Sequence, residues 1–152
     1  MHDQARQDHV SPEVEERIRT GFDSQGLMRH LGARLTHIGH GRVRVALPAR
    51  PEVTQQHGYF HAGATSAIAD TAGGYAAYTL FPAKTAVLTV EYKINLLAPA
   101  RGERLDAVAT VLKPGRTLTI CRLEVYAIDD GREKLVAAGQ QTLIRVDERP
   151  EQ

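Results

Sequence analysis

The chain has 152 residues, enough for one domain whose core needs no disulfide or metal to stabilise it. Nineteen Lys and Arg against eighteen Asp and Glu give a net charge of +1, which provides no general attraction for nucleic acid or an anionic membrane. No stretch approaches the roughly 20 apolar residues that span a bilayer, and the polar first residues lack the apolar core of a signal peptide. We therefore expect a cytoplasmic protein with a disordered polar tail over residues 1–10 and a single domain over residues 11–147.

Two short helices are predicted near the N-terminus. Ser11 and Pro12 supply an N-cap and a first helical position. After an interruption at Gly21, Asp23 or Ser24 can cap a second helix. Both helices should lie against the main body through apolar positions at helical spacing: Val14, Ile18, Phe22, Leu27, Met28 and Leu31.

From residue 33 the apolar pattern changes to a period of two, which predicts a half-exposed hairpin. Val43, Val45 and Leu47 form its apolar face, and Gly39 and Gly41 provide the turn. A loop over residues 48–56 then leads into the next helix.

Residues 55–80 are almost uncharged and rich in Ala, Gly, Thr and Ser. A helix that is apolar on nearly every side must be buried, so we predict a central helix over residues 62–80, wrapped by a sheet. Pro82 should end it near Phe81. The pair Gly73-Gly74 inside the helix indicates close approach of another part of the chain.

Strands fill the rest of the chain. In TAVLTVEYKINLL the alternation predicts one apolar face, and turn signals then separate three further strands, RLDAVATVL, TLTICRLEVYAI and EKLVAAGQQTLIRV, before a polar tail VDERPEQ. These four strands read as a meander, and the whole predicts an α+β domain with a largely antiparallel sheet. The single cysteine, Cys121, falls in an apolar run and is expected to be a buried thiol. In the strand TAVLTVEYKINLL, the predicted apolar face holds Leu88, Val90, Tyr92, Ile94 and Leu96.

The start of the central helix suggests an anion-binding site. His61 stands at the first position, and Ala62 and Gly63 lie in the first turn, where backbone N–H groups have no intrahelical partner. Such amides can polarise a thioester carbonyl and stabilise its oxyanion. The alternatives are that Gly63 only permits close packing and that His61 only hydrogen-bonds to backbone.

Asp70 is the only formal charge in the central stretch and the first catalytic candidate. It lies nine residues after His61, which on one helix means about 13 Å and roughly half a rotation. If both serve one reaction, the simplest geometry takes them from two subunits across a two-fold axis. The alternative is a buried structural carboxylate bonded to Ser66 or Thr71.

Metal-dependent chemistry is not predicted. His57 and His61 are four residues apart, but Gly58 lies between them and no third ligand is nearby. The sequence also contains no nucleophile elbow, P-loop or dinucleotide fingerprint.

The motifs resemble those of the hotdog-fold acyl-CoA thioesterases, in particular the phenylacetate-degradation (PaaI-like) branch, over about residues 25–146. That family has Asn or Gln six residues before a His-Gly-Gly and an acid nine residues after the His. These positions fall here on Gln55, on His61, Ala62 and Gly63, and on Asp70. The segment VLTVEYKINLLAPARGE is similar to the family's first long strand after the helix.

The resemblance implies that the protein hydrolyses an acyl-CoA thioester to a free acid and coenzyme A, as a homodimer or tetramer with shared active sites and without a metal or redox cofactor. Asp70 of one subunit would act as general base or nucleophile, and Gln55 would position the water or the thioester. The Ala62 amide would form the oxyanion hole with help from His61. Ala62 departs from the family's first Gly, and Gly74 replaces a Thr or Ser that some relatives have one turn after the acid.

Residues near coenzyme A are implied less directly. Lys113, Arg116 and Thr117 lie in a turn that resembles a phosphate-contacting segment of relatives, although charged turns are commonly just solvated. Tyr59 and Phe60 would border the acyl pocket or pack under the loop. Two other functions stay open, a hotdog acyl-CoA hydratase or dehydratase and a non-catalytic acyl-CoA binding or sensing protein.

Overall fold

The computed structural model describes residues 8–148, so most of the predicted tail over residues 1–10 lies outside the described residues. Three α-helices run over α1 (Pro12–Asp23), α2 (Gly26–Leu31) and α3 (Ala62–Tyr78), and a 3₁₀ turn covers Pro51–Val53. Six strands run over β1 (Arg34–Gly39), β2 (Arg42–Pro48), β3 (Thr85–Leu96), β4 (Arg104–Lys113), β5 (Leu118–Asp129) and β6 (Arg132–Asp147). The predicted α+β class is confirmed.

The two N-terminal helices form as predicted, but they meet at a different place. The Ser11 hydroxyl accepts a hydrogen bond from the Val14 amide and caps α1. The helix continues through Gly21 without interruption, and α2 begins after Gln25, so the predicted break at Gly21 and the caps at Asp23 or Ser24 are wrong. Ile18, Phe22 and Met28 are buried against the body, whereas Leu27 is exposed.

All six strands pair antiparallel in one sheet, in the order β1-β2-β4-β5-β6-β3. The predicted meander of four strands is therefore only partly right. Strands β4, β5 and β6 form a meander, but β3 pairs with β6 at the far edge because the β1–β2 hairpin occupies the side of β4 where β3 would have paired. Strand β6 also extends to Asp147, two residues into the predicted tail.

Helix α3 lies across the inner face of this sheet, and most of its residues are buried, as its apolar composition predicts. It ends at Tyr78 rather than near Phe81, because the amides of Leu80 and Phe81 bond to carbonyls three residues back and tighten the chain into turns. Arg17 of α1 donates to the carbonyls of Tyr78 and Phe81 at 3.1 and 3.0 Å and fastens this end.

The two glycines inside α3 have different surroundings. A β-carbon at Gly73 would overlap the side chains of Gln141 and Leu123, so the sheet approaches the helix closely there, as the sequence predicts. A β-carbon at Gly74 would lie 3.9 Å from the Leu143 side chain, an ordinary van der Waals distance. Only Gly73 is required by the packing.

Strand β3 contains a bulge at Val90, where its pairing with β6 shifts between Thr89 and Glu91. Thr89 and Ile94 both face the helix side, so the inward positions are odd-numbered before the bulge and even-numbered after it. The predicted single apolar face of β3 is therefore wrong. Five large apolar side chains around this free edge are each between 46 and 57% exposed: Leu88, Val90, Tyr92, Leu96 and Leu97.

Cys121 is fully buried, as predicted, and its thiol lies 3.6 Å from the Gly73 carbonyl oxygen. Burial raises the pKa of the Cys121 thiol to about 12, so it stays protonated at neutral pH. Within residues 8–148, no helix combines the length and the apolar character that crossing a membrane requires.

The different surroundings of Gly73 and Gly74 predict opposite effects on stability. Gly73→Ala should lower the free energy of unfolding by about 1–3 kcal/mol because the new methyl group overpacks the Gln141 contact. Gly74→Ala should raise it by up to about 1 kcal/mol because alanine is the better helix former. Urea unfolding of both variants at one protein concentration measures this, and equal effects would contradict the difference in packing.

Candidate active site

Asp70 is half-buried in the middle of α3, and its carboxylate is held from the sheet. Oδ1 accepts hydrogen bonds from Thr89 Oγ1 at 2.7 Å and from Gln141 Nε2 at 2.6 Å. Oδ2 accepts none from the residues that the structure describes. One carboxylate oxygen is thus fixed, and the other is available to react.

Thr89 and Gln141 were missed by the sequence analysis. Neither of the predicted alternative partners, Ser66 or Thr71, bonds to Asp70. The Thr71 hydroxyl donates to Gln25 Oε1 instead, at 3.3 Å. Thr89 was assigned to the outer face of β3, and only the bulge turns it toward the helix. A polar residue inside the apolar pattern of β6 was the one available signal for Gln141.

A cleft of about 660 Å³ opens beside Asp70 between α1, α3 and β3. Its walls include Gly74, Tyr75, Leu88 and Leu143. At the α1 side, Gln25 Nε2 donates to the Tyr75 hydroxyl at 3.1 Å, and burial raises the pKa of this phenol, so it stays neutral. We call this space the acid cleft.

His61 is the N-cap of α3, and its Nδ1 accepts a hydrogen bond from the Gly63 amide at 2.7 Å. Since Nδ1 is an acceptor, the neutral ring carries its proton on Nε2. The Gly63 amide is therefore occupied, while the Ala62 amide donates to no other group among the described residues. Ala62, not Gly63, therefore offers the free backbone amide at this helix start.

A second cavity of about 510 Å³ lies at this end of the helix, and we call it the amide cavity. Gln55, Tyr59, Phe60, His61 and Ala62 line it, together with residues 96–100. The Gln55 Oε1 atom accepts the His57 amide at 2.5 Å, which leaves its Nε2 donors free of the described residues. The predicted acyl-pocket residues Tyr59 and Phe60 thus lie beside the predicted oxyanion donor.

Within one chain the structure does not bring the acid and the amide donor together. The acid cleft and the amide cavity share no lining residue. His61 and Asp70 lie on one regular helix, and nine residues separate them by about 13 Å.

The predicted phosphate residues Lys113, Arg116 and Thr117 are exposed in the β4–β5 turn and line neither cavity. Leu118, which follows this turn, pairs with Ile144, and Ile144 pairs with Leu88 at the acid cleft. The turn is therefore one strand, about 5 Å, from the cleft wall that Leu143 of β6 forms, and two strands, about 10 Å, from the wall that β3 forms.

No three His, Cys, Asp or Glu side chains cluster as a metal site in the described part of the chain. The chain offers a carboxylate with one free oxygen in the acid cleft, and a free backbone amide and a carboxamide with free donors in the amide cavity. Brought together, such groups can support attack on a carbonyl whose oxygen becomes negative, because a carboxylate can activate the attacker and an amide can stabilise the oxyanion.

Residues 57–134 match a family model described as Thioesterase superfamily. A crystallised thioesterase family protein from Silicibacter pomeroyi is 44% identical, with a TM-score of 0.86 over 88% of this chain and 98% of that chain. The 1,4-dihydroxy-2-naphthoyl-CoA hydrolase of Escherichia coli is 26% identical over 63% of this chain and 71% of that enzyme.

The PaaI protein of Escherichia coli shares the fold. It superposes with a TM-score of 0.80 over 92% of this chain and 98% of that chain, at 20% sequence identity. These comparisons confirm the resemblance and the hotdog fold that the motif spacing indicates.

Capping and any chemical role of His61 can be separated by two variants. His61→Ala removes the acceptor for the Gly63 amide and should lower the free energy of unfolding by about 1 kcal/mol. His61→Asn keeps an N-cap acceptor and should stay within a few tenths of a kcal/mol of wild type. Equal destabilisation in urea unfolding would contradict the capping role.

Proposed function

Because this chain belongs to the thioesterase superfamily, we infer that it is an acyl-CoA thioesterase, which hydrolyses an acyl-CoA thioester to a free acid and coenzyme A. The Asp70 carboxylate is the main support for placing the active site here, because two donors hold Oδ1 and Oδ2 is free at the acid cleft. Gln55, His61 and Ala62 complete the proposed site, with Gly63 supporting the His61 cap.

The site is proposed to form between two copies of the chain. Strand β3 is an edge strand that pairs only with β6 among the described strands, and its apolar side chains are half-exposed. Such an edge favours pairing with a second copy. With a two-fold axis between Tyr92 and Lys93, Thr89 of one copy would lie opposite Leu96 of the partner subunit. Asp70, which bonds to Thr89, would then lie near the partner's amide cavity, because Leu96 lines that cavity.

The reaction then follows from the groups available. Asp70 Oδ2 takes a proton from water, and the water oxygen attacks the thioester carbonyl carbon. The carbonyl oxygen becomes negative and is stabilised by the partner's Ala62 amide and the positive end of that helix. As the C–S bond breaks, the proton passes from Asp70 to the departing sulfur. In the alternative route Oδ2 attacks the carbonyl carbon itself, and the C–S bond breaks to release the coenzyme A thiolate and leave an anhydride. Water then hydrolyses the anhydride to the free acid and the Asp70 carboxylate, and the proton released in this step goes to the thiolate.

The other assignments are part of the same proposal. Gln55 would orient the water or the thioester through its free Nε2 donors, and Tyr59 and Phe60 would border the acyl group. Lys113, Arg116 and Thr117 would contact phosphates of coenzyme A at the exposed turn. Chemistry without a metal or redox cofactor, a homotetramer and a cytoplasmic location also stay predictions.

The first test is free-thiol release from a panel of short, medium-chain and aromatic acyl-CoAs. Asp70→Asn should lower kcat by about 10²–10⁴, the range for removal of a positioned base. Glu13→Gln, an exposed carboxylate in the first turn of α1, is the matched control and should turn over like wild type. Wild-type binding of these esters with no turnover would favour the sensing alternative, and hydrated products would favour the hydratase.

The shared site is tested by mixing inactive subunits. A dimer of one Asp70→Asn chain and one Gln55→Ala chain keeps one intact site, so statistical mixing should recover roughly one quarter of wild-type turnover. Heterodimers verified by native mass spectrometry that show no recovery would contradict the two-subunit geometry.

A further inference from the structure

Gln141 is the one fully buried polar side chain that touches the Asp70 carboxylate. Its Nε2 group lies 2.6 Å from Asp70 Oδ1, 3.2 Å from the Asp70 carbonyl oxygen and 3.1 Å from Thr89 Oγ1. A carbonyl and an ionised carboxylate only accept hydrogen bonds, so the carboxamide must present its nitrogen and not its oxygen. The side chain is thus held in one orientation by Asp70 itself.

The other end of the same carboxamide is unsatisfied. Gln141 Oε1 is buried and accepts no hydrogen bond from the described residues. An unpaired buried carbonyl is costly, and an apolar side chain of similar size would fill the space without that cost. Packing alone therefore does not account for a glutamine at this position.

Gly73 provides the space for this arrangement. A β-carbon at Gly73 would overlap Gln141 Oε1, so a larger residue there would displace the carboxamide from Asp70. The helix gives up a better helix former at Gly73 while Gly74, next to it, has room for a side chain. The glycine and the glutamine form one unit around the acid.

We propose that Gln141 is a positioning residue for the thioesterase reaction, which fixes Asp70 Oδ1 and so holds Oδ2 toward the acid cleft, where it reacts. The anchor of Asp70 Oδ1 comes from the sheet, through Gln141 on β6 and Thr89 on β3. This inference rests on the proposed function of Asp70 and extends it to β6.

The charged groups around the acid cleft do not supply the same anchor. Arg17 on α1 and Glu148 after β6 line the cleft, but Arg17 donates to the carbonyls at the end of α3. Neither bonds to Asp70. On β3, the facing group is the neutral Thr89. Loss of the Gln141 donor therefore leaves the ionised carboxylate with Thr89 alone.

The test compares wild type with Gln141→Met, which keeps the volume and removes the donor. A hydrogen bond to a charged group predicts a fall in kcat of about 10- to 100-fold at neutral pH. KM should stay within about twofold, since Gln141 lies behind the carboxylate and away from the substrate.

Two further variants keep the test decisive if Gln141→Met does not fold. Gln141→Asn is one methylene shorter, and Gly73→Ala displaces the carboxamide, so each should lower kcat and leave KM within about twofold. Val125→Ala, a buried sheet substitution outside both cavities, controls for lost stability and should keep the kcat of wild type.

The outcomes distinguish a failure of the proposed thioesterase function from a failure of the positioning role of Gln141. Wild type without thioester hydrolysis would overturn the proposed function. Active wild type with unchanged kcat in the folded Gln141 variants, or a loss of kcat no larger than that of Val125→Ala, would overturn the positioning role and leave Gln141 as a structural residue.

Discussion

The structure depends on the burial of one helix that has almost no polar face. Helix α3 has no amphipathic stripe to place against a core, so the sheet must enclose it along most of its length. Small side chains allow this close approach, and at Gly73 even a methyl group is excluded. Every polar atom on such a helix must find a partner in the sheet or face a cavity.

Asp70 illustrates this requirement. A carboxylate on an enclosed helix would be strongly disfavoured without donors, and Thr89 and Gln141 supply them from two adjacent strands. Both donors reach the same oxygen, which leaves the second oxygen at the cleft. The hydrogen bonds that stabilise the carboxylate in the fold are thus also the ones that leave Oδ2 free for the proposed reaction.

Helix geometry then separates the two halves of the chemistry. The free amide lies at the N-terminus of α3 and the acid two and a half turns later, facing different cavities. A single chain carries both groups but does not join them. The free, apolar edge of β3 lies beside both cavities, and so the proposed dimer and the proposed shared site would depend on the same strand.

Composition, period and motif spacing are local properties, so they were enough to predict the buried helix, the antiparallel strands and the candidates Gln55, His61, Ala62 and Asp70. The strand order, the bulge at Val90 and the partners of Asp70 depend on contacts between distant parts of the chain, and only the folded protein shows them. One extra residue in a strand reverses which side chains face inward, and the alternation of apolar residues in the sequence does not show where such a bulge lies. Gln141 is 71 residues from Asp70 in the chain, and only the pairing of β6 beside α3 brings them together.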